Sequence, residues 1–241
     1  MADQQTVGVF GKIPAHGDFV AQDLPRDFTD SWDHWLQQSI LASQESLGDQ
    51  WLQHFLVSPI WRFALPSGAV NNQSWAGIIL PSVDSVGRYY PLTLIAQIPG
   101  HVGVFEYVAA ASEWFEKLEN VAITTLEKGM TVNELAQELT QLKTVFELPL
   151  RESSPLGPQQ HQQHSIPLEF PEQSITSITP LLCDALLKPQ MPTLSIWWTK
   201  GGQHVDPALL LADKLPRPTS YTAMLNGQWE NWHWPSLIHA L

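Results

Sequence analysis

Charge is scarce in this chain. Asp, Glu, Lys and Arg make up 15% of its 241 residues, against roughly 25% in an average soluble domain. Positive charge is scarcer still, with 12 Lys and Arg against 24 Asp and Glu and a net charge of −12. Nucleic acid and anionic membrane surfaces are recognised by basic patches, so composition argues against both as partners. The single cysteine, Cys183, cannot close a disulfide within the chain or build a zinc–cysteine cluster. It suits a reducing compartment. No stretch approaches the roughly 18 consecutive apolar residues of a membrane helix. The opening segment, MADQQTVGVF, lacks the basic start and apolar run of a secretory signal. The expectation is a cytoplasmic, soluble protein with no segment inserted in a membrane.

What is present is a globular composition, 44% hydrophobic. It contains 11 tryptophans and 19 prolines, and the prolines divide the chain into short elements. Residues 6–10 read as a strand leading into Gly11. Residues 28–47 place Phe28, Trp32, Trp35, Leu36, Ile40 and Leu47 on one helical face, with Gly48 where a C-terminal cap belongs. A short helix over 49–56 follows. Then the period changes, and 60–65, 74–80 and 92–98 read as strands, each ending at a proline. Short links between them favour antiparallel pairing. Residues 104–128 read as one helix broken by Gly129, and Thr131-Val132-Asn133-Glu134 has the capping-box pattern for another, to about 144. Further helical segments are expected over 180–187, 208–211 and 221–225, with a strand over 193–199. Residues 101–150 carry three basic against eight acidic groups, making this helical hairpin the acidic face.

Motifs for catalysis fail one by one. Gly8-Val9-Phe10-Gly11-Lys12 has the wrong glycine spacing for a phosphate loop, and Ile13 stands where Ser or Thr would hold magnesium. His16 and Asp18 lack a second ligand pair. His161 and His164 lie in a glutamine-rich stretch with nothing to orient them. There is no Gly-x-Ser-x-Gly elbow, although Ser82, Asp84 and His16 can be assembled on paper as a triad. Cys183 sits in Leu181-Leu182-Cys183-Asp184-Ala185-Leu186-Leu187 and reads as a small apolar residue. No catalytic residue, metal or cofactor is expected.

Two groups of residues remain as candidates for binding. Lys12, Asp18, Asp84 and Arg88 lie in loops beside glycines and prolines. They either pin turns by mutual ion pairing or form a charged pocket rim for a partner or a small anion. Trp229 and Trp232, with Trp234, show no helical or strand periodicity. They form a lid on the domain, an exposed aromatic anchor, or a glycan-stacking surface.

These residues also carry a resemblance. Gly11-Lys12-Ile13-Pro14-Ala15-His16-Gly17-Asp18-Phe19-Val20, Leu24-Pro25, and Trp32-Asp33-His34-Trp35-Leu36-Gln37 resemble the N-terminal signature of the TagF (ImpM) family. These are accessory proteins of bacterial type VI secretion. The likeness continues through Ser46-Leu47-Gly48, Pro59-Ile60-Trp61-Arg62-Phe63 and Pro81-Ser82-Val83-Asp84-Ser85-Val86-Gly87-Arg88 to Pro91-Leu92, and Ser195-Ile196-Trp197-Trp198-Thr199-Lys200-Gly201 looks like a later family strand. Ile13 replaces a usual leucine and Gln22 a common arginine, and neither change touches the charged set. Some relatives carry a fused protein-phosphatase domain; this chain is too short to hold one, so that activity is not implied. The resemblance implies a non-enzymatic post-translational regulator, typically a repressor, that binds the forkhead-associated scaffold protein, Fha, in the cytoplasm. The competing expectation is a small hydrolase or a glycan-binding module using the tryptophan-rich surface.

The expected fold is an α/β three-layer sandwich, a mainly antiparallel sheet with helices on both faces. Residues 1–148 form the main domain and 149–173 a proline- and glutamine-rich linker. Residues 174–241 add a strand and the tryptophan-rich tail to the same domain.

Overall fold

The computed structural model describes residues 6–142 and 175–237. The linker read at 149–173 lies outside the described residues. Seven strands form one sheet: β1 Val7–Gly11, β2 Val20–Gln22, β3 Trp61–Leu65, β4 Ser74–Leu80, β5 Leu92–Ile98, β6 Leu194–Thr199 and β7 Ala208–Asp213. Their order is β2-β1-β5-β4-β3-β6-β7, and every pairing is antiparallel. β6 pairs with β3 in the register Phe63 to Trp197, so the C-terminal strands extend the sheet built by the N-terminal ones.

Helices cover both faces, so the central strands are apolar on both sides. Successive side chains alternate between the faces. Phe10, Phe63, Ile95 and Trp197 pack beneath α1 (Arg26–Leu47), α2 (Trp51–Leu56) and α7 (Tyr221–Asn226). Val9, Ala64, Leu94 and Ile196 face α3 (Val104–Ala110), α4 (Ser112–Lys128) and α5 (Val132–Gln141). A further helix, α6 (Ile175–Leu187), packs on α3. The first core is largely aromatic. Trp32 lies parallel to Trp197 at 6.2 Å and 5.1 Å from Phe63, and its Nε1 donates to Thr93 Oγ1 at 3.0 Å. Trp35 donates to the Pro216 carbonyl at 2.7 Å. Each indole is thereby buried with its N–H satisfied.

The α/β antiparallel sandwich matches the expectation from sequence, and local differences have local causes. The 104–128 helix is two, because Ala111 (φ −92°, ψ 11°) leaves the helical region. Ala111 is fully buried, so the bend is set by packing and not by a helix breaker. α6 begins before Pro180 and takes the proline into its body, where the ring cannot donate the helical hydrogen bond and crowds the preceding turn. The segment around 208–211 is a strand, not a helix. Its run Ala-Leu-Leu-Leu-Ala is ambiguous by period alone, and pairing to β6 decides it.

Candidate functional site

The charged loops meet at the end of β1. Gly11 permits this: its φ is 122°, and a Cβ there would lie 2.0 Å from the Pro91 carbonyl oxygen. The chain leaving β1 (12–19) therefore runs against the loop between β4 and β5 (81–91). Ser82 Oγ donates to the Lys12 carbonyl at 2.7 Å, and the Ser85 N–H to the His16 carbonyl at 3.2 Å.

Asp84 is the hub, with a side chain wholly shielded from solvent. Its Oδ2 accepts from Lys12 Nζ and from Arg88 Nε, each at 2.7 Å. Its Oδ1 accepts the backbone N–H groups of Val86 at 3.0 Å and Arg88 at 2.9 Å. Arg88 Nη2 also donates to the Gly17 carbonyl, which ties the two loops together. Gly87 (φ 87°) closes the turn by donating to the Asp84 carbonyl at 3.1 Å. Burial by itself would raise the Asp84 pKa, but the hydrogen bonds from Lys12, Arg88 and the two amides outweigh it. The carboxyl is held well below the usual carboxylate range.

The four charged residues are thus not one set. Lys12, Asp84 and Arg88 come together. Asp18 is exposed, and no described residue pairs with it. Lys12 is nearly buried, whereas the Arg88 side chain stays 58% exposed even while bonded. Around Arg88 the surface is apolar: Val86 is 68% exposed at the tip of the turn, and Phe19 and Tyr89 are also exposed. Phe19 packs edge-on to Phe10 and Tyr90, and Tyr89 lies 6.3 Å from Phe55 on α2. That short helix exposes Leu52 and Leu56.

Ser82 and Asp84 spend their hydrogen bonds inside this brace, on Lys12, Val86 and Arg88, and neither bonds to a histidine among the described residues. The terminal tryptophans are half-buried. Trp229 packs edge-on to Trp61 at 6.0 Å, and Trp234 Nε1 donates to the Ser220 carbonyl at 2.9 Å. Trp232 keeps a buried Nε1 without a hydrogen-bond partner among the described residues. Trp229 and Trp234 pack against the α1-side core.

Sequence reasoning passed over a second charged cluster. Arg62, on β3, pairs through both arms with Glu119 of α4, at 2.6 and 2.8 Å, and lies over the Phe115 ring. Lys200 reaches Glu119 at 3.2 Å. Burial pushes the Glu119 carboxyl up, but the bonds from Arg62 and Lys200 hold it below its ordinary value. The available signal was an arginine in the middle of an otherwise apolar strand. Also missed was a histidine pair. His54 on α2 and His204 lie 4.8 Å apart, and His54 Nδ1 and His204 Nε2 are buried without hydrogen-bond partners among the described residues. Burial first, and His204 second, lower the His54 pKa.

Fold and site together define a three-layer α/β protein in which a buried carboxylate braces an exposed, apolar-tipped loop. Residues 8–142 match the model of the TagF N-terminal domain, type VI secretion system-associated, and the chain belongs to that family. Its structure is similar to the crystal structure of PA0076 from Pseudomonas aeruginosa PAO1, with a TM-score of 0.77 and 29% identity over 98% of each chain. No curated protein matches the sequence. Among the described residues no helix is long and apolar enough to cross a membrane.

Proposed function

We propose that this type VI secretion-associated protein acts without catalysis, as a stoichiometric cytoplasmic repressor that binds the forkhead-associated scaffold protein of the apparatus. The observation that carries the reading is the loop of residues 81–91. It is rigidly braced by Asp84, yet it presents Val86 and Arg88 to solvent. A loop ordered before binding loses little entropy on docking. An arginine among exposed apolar and aromatic side chains is also the composition of an interface hot spot. Asp18 lies on the same segment as Phe19 and supplies a charge of opposite sign at the rim. The half-buried Trp229 and Trp232 serve as a lid on this reading and not as the primary contact.

The test is secretion in the native host. Raised levels of the wild-type protein should suppress export, and Val86→Asp at equal abundance should not. Suppression that survives both Val86→Asp and Arg88→Glu would remove the loop as the contact. Turnover of phosphatase, esterase or nucleotide substrates by the purified chain, lost in Ser82→Ala, would favour the hydrolase reading instead.

A further inference from the structure

Residues 83–89 form a small knob between β4 and β5. Val83 bridges to Tyr89, the Asp84 N–H donates to the Arg88 carbonyl at 3.1 Å, and residues 85–89 are all exposed. At the tip, a Cβ on Gly87 would meet nothing within 4 Å. Val86 beside it is 68% exposed, although its N–H is tied to Asp84 Oδ1. A fixed apolar side chain that projects this far is buried only by a partner with a pocket to receive it.

Charge within the hub does not balance. Lys12 and Arg88 share the one carboxylate of Asp84, which leaves one positive charge over. Lys12 is nearly buried, so the excess is displayed at Arg88. A guanidinium has five N–H donors. Arg88 uses Nε on Asp84 and Nη2 on the Gly17 carbonyl, and its Nη1 has no acceptor among the described residues. Asp18, the residue after Gly17, forms no ion pair with Arg88. Donors left over on a guanidinium suit an oxyanion. A phosphate group carries up to two negative charges, favours a cluster of arginines and is repelled by a neighbouring carboxylate. One exposed cation, with Asp18 next along the chain from the carbonyl it binds, matches a single carboxylate instead. Resting on the reading that this loop contacts the scaffold, we propose that the scaffold receives residues 83–89 in an apolar pocket fitted to Val86. An Asp or Glu carboxylate on the pocket rim accepts from Arg88 Nη1.

The test is calorimetry with the full chain and the scaffold, with a melting temperature for every variant. The wild type should bind, and should bind equally after the scaffold is treated with phosphatase. Val86→Trp, at an exposed position, should melt like the wild type and lose roughly tenfold or more in affinity, because the larger side chain overfills the pocket. On a flat apolar contact the same variant would bind as well or better. Arg88→Glu should lose binding, and one Asp→Arg or Glu→Arg change among the scaffold's surface carboxylates should restore it. Wild-type affinity in Val86→Trp would overturn the pocket. Binding lost on phosphatase treatment, or no reversal that restores Arg88→Glu, would overturn the carboxylate and leave the loop as the contact. No binding by the wild type, or binding indifferent to both substitutions, would remove the loop as the contact and the proposal with it.

Discussion

At Asp84, four donors converge on one carboxylate whose side chain is shielded from water. Its folded pKa is depressed, so its contribution is complete above the unfolded carboxylate value near pH 4 and is lost as pH falls below it. Asp84→Asn should therefore destabilise the protein at neutral pH and reduce the steepness of acid unfolding below about pH 4, read by thermal melts across pH. His54 makes a separate window. Its pKa is also depressed in the folded state, so the unfolded chain binds the proton more readily. Stability should fall as pH drops below the ordinary histidine value near 6.5, and His54→Gln should flatten that slope. An unchanged slope would show that burial of this imidazole has no energetic consequence. The Arg62–Glu119 pair ties the helical layer to the sheet. Glu119→Ala leaves Arg62 buried without its carboxylate and should cost about 3–5 kcal/mol. Lys200→Ala, which removes only the exposed partner, should cost about 1 kcal/mol or less. Equal melting temperatures for the two variants would contradict this assignment.

Elements differ in how legibly the sequence states them. α5 was announced by its capping box, and the structure has both halves of it, Thr131 Oγ1 accepting from the Glu134 N–H at 3.3 Å and Glu134 accepting from the Thr131 N–H at 2.8 Å. Thr131→Ala should cost about 1 kcal/mol and should speed hydrogen exchange in α5 before the rest of the molecule. β4 and β5 were legible to the residue because prolines follow both and the residues before them are mainly apolar. The bend at Ala111 and the strand β7 were not legible, since both depend on what the segment packs against and not on its own residues. The same limit divides the site. Asp84 and Arg88 share one short turn, and their loop could be singled out from sequence. That Lys12 joins them and Asp18 does not is decided by Gly11, which lets two distant loops touch. Arg62 and Glu119 are far apart in sequence, and no local pattern links them.

Across the whole molecule, most charges lie on the surface, and the few that are buried or half-buried brace the fold. The Arg62 cluster fastens one helical layer, the Asp84 hub fastens two loops, and Arg88 is the hub member that reaches solvent. The overall acidity, a net charge of −12, makes an exposed arginine within an apolar patch a local exception. Substituting it should alter partner recognition more than folding, because Lys12 still neutralises Asp84 when Arg88 is gone. The most direct measurement is a calorimetric titration of the forkhead-associated scaffold protein with wild type and Arg88→Glu, each paired with its melting temperature. Saturable binding by the wild type is expected, with loss of that binding in Arg88→Glu while the melting temperature shifts by only a few degrees. Wild-type affinity retained by a folded Arg88→Glu protein, or no binding by the wild type at all, would remove the braced loop as the contact.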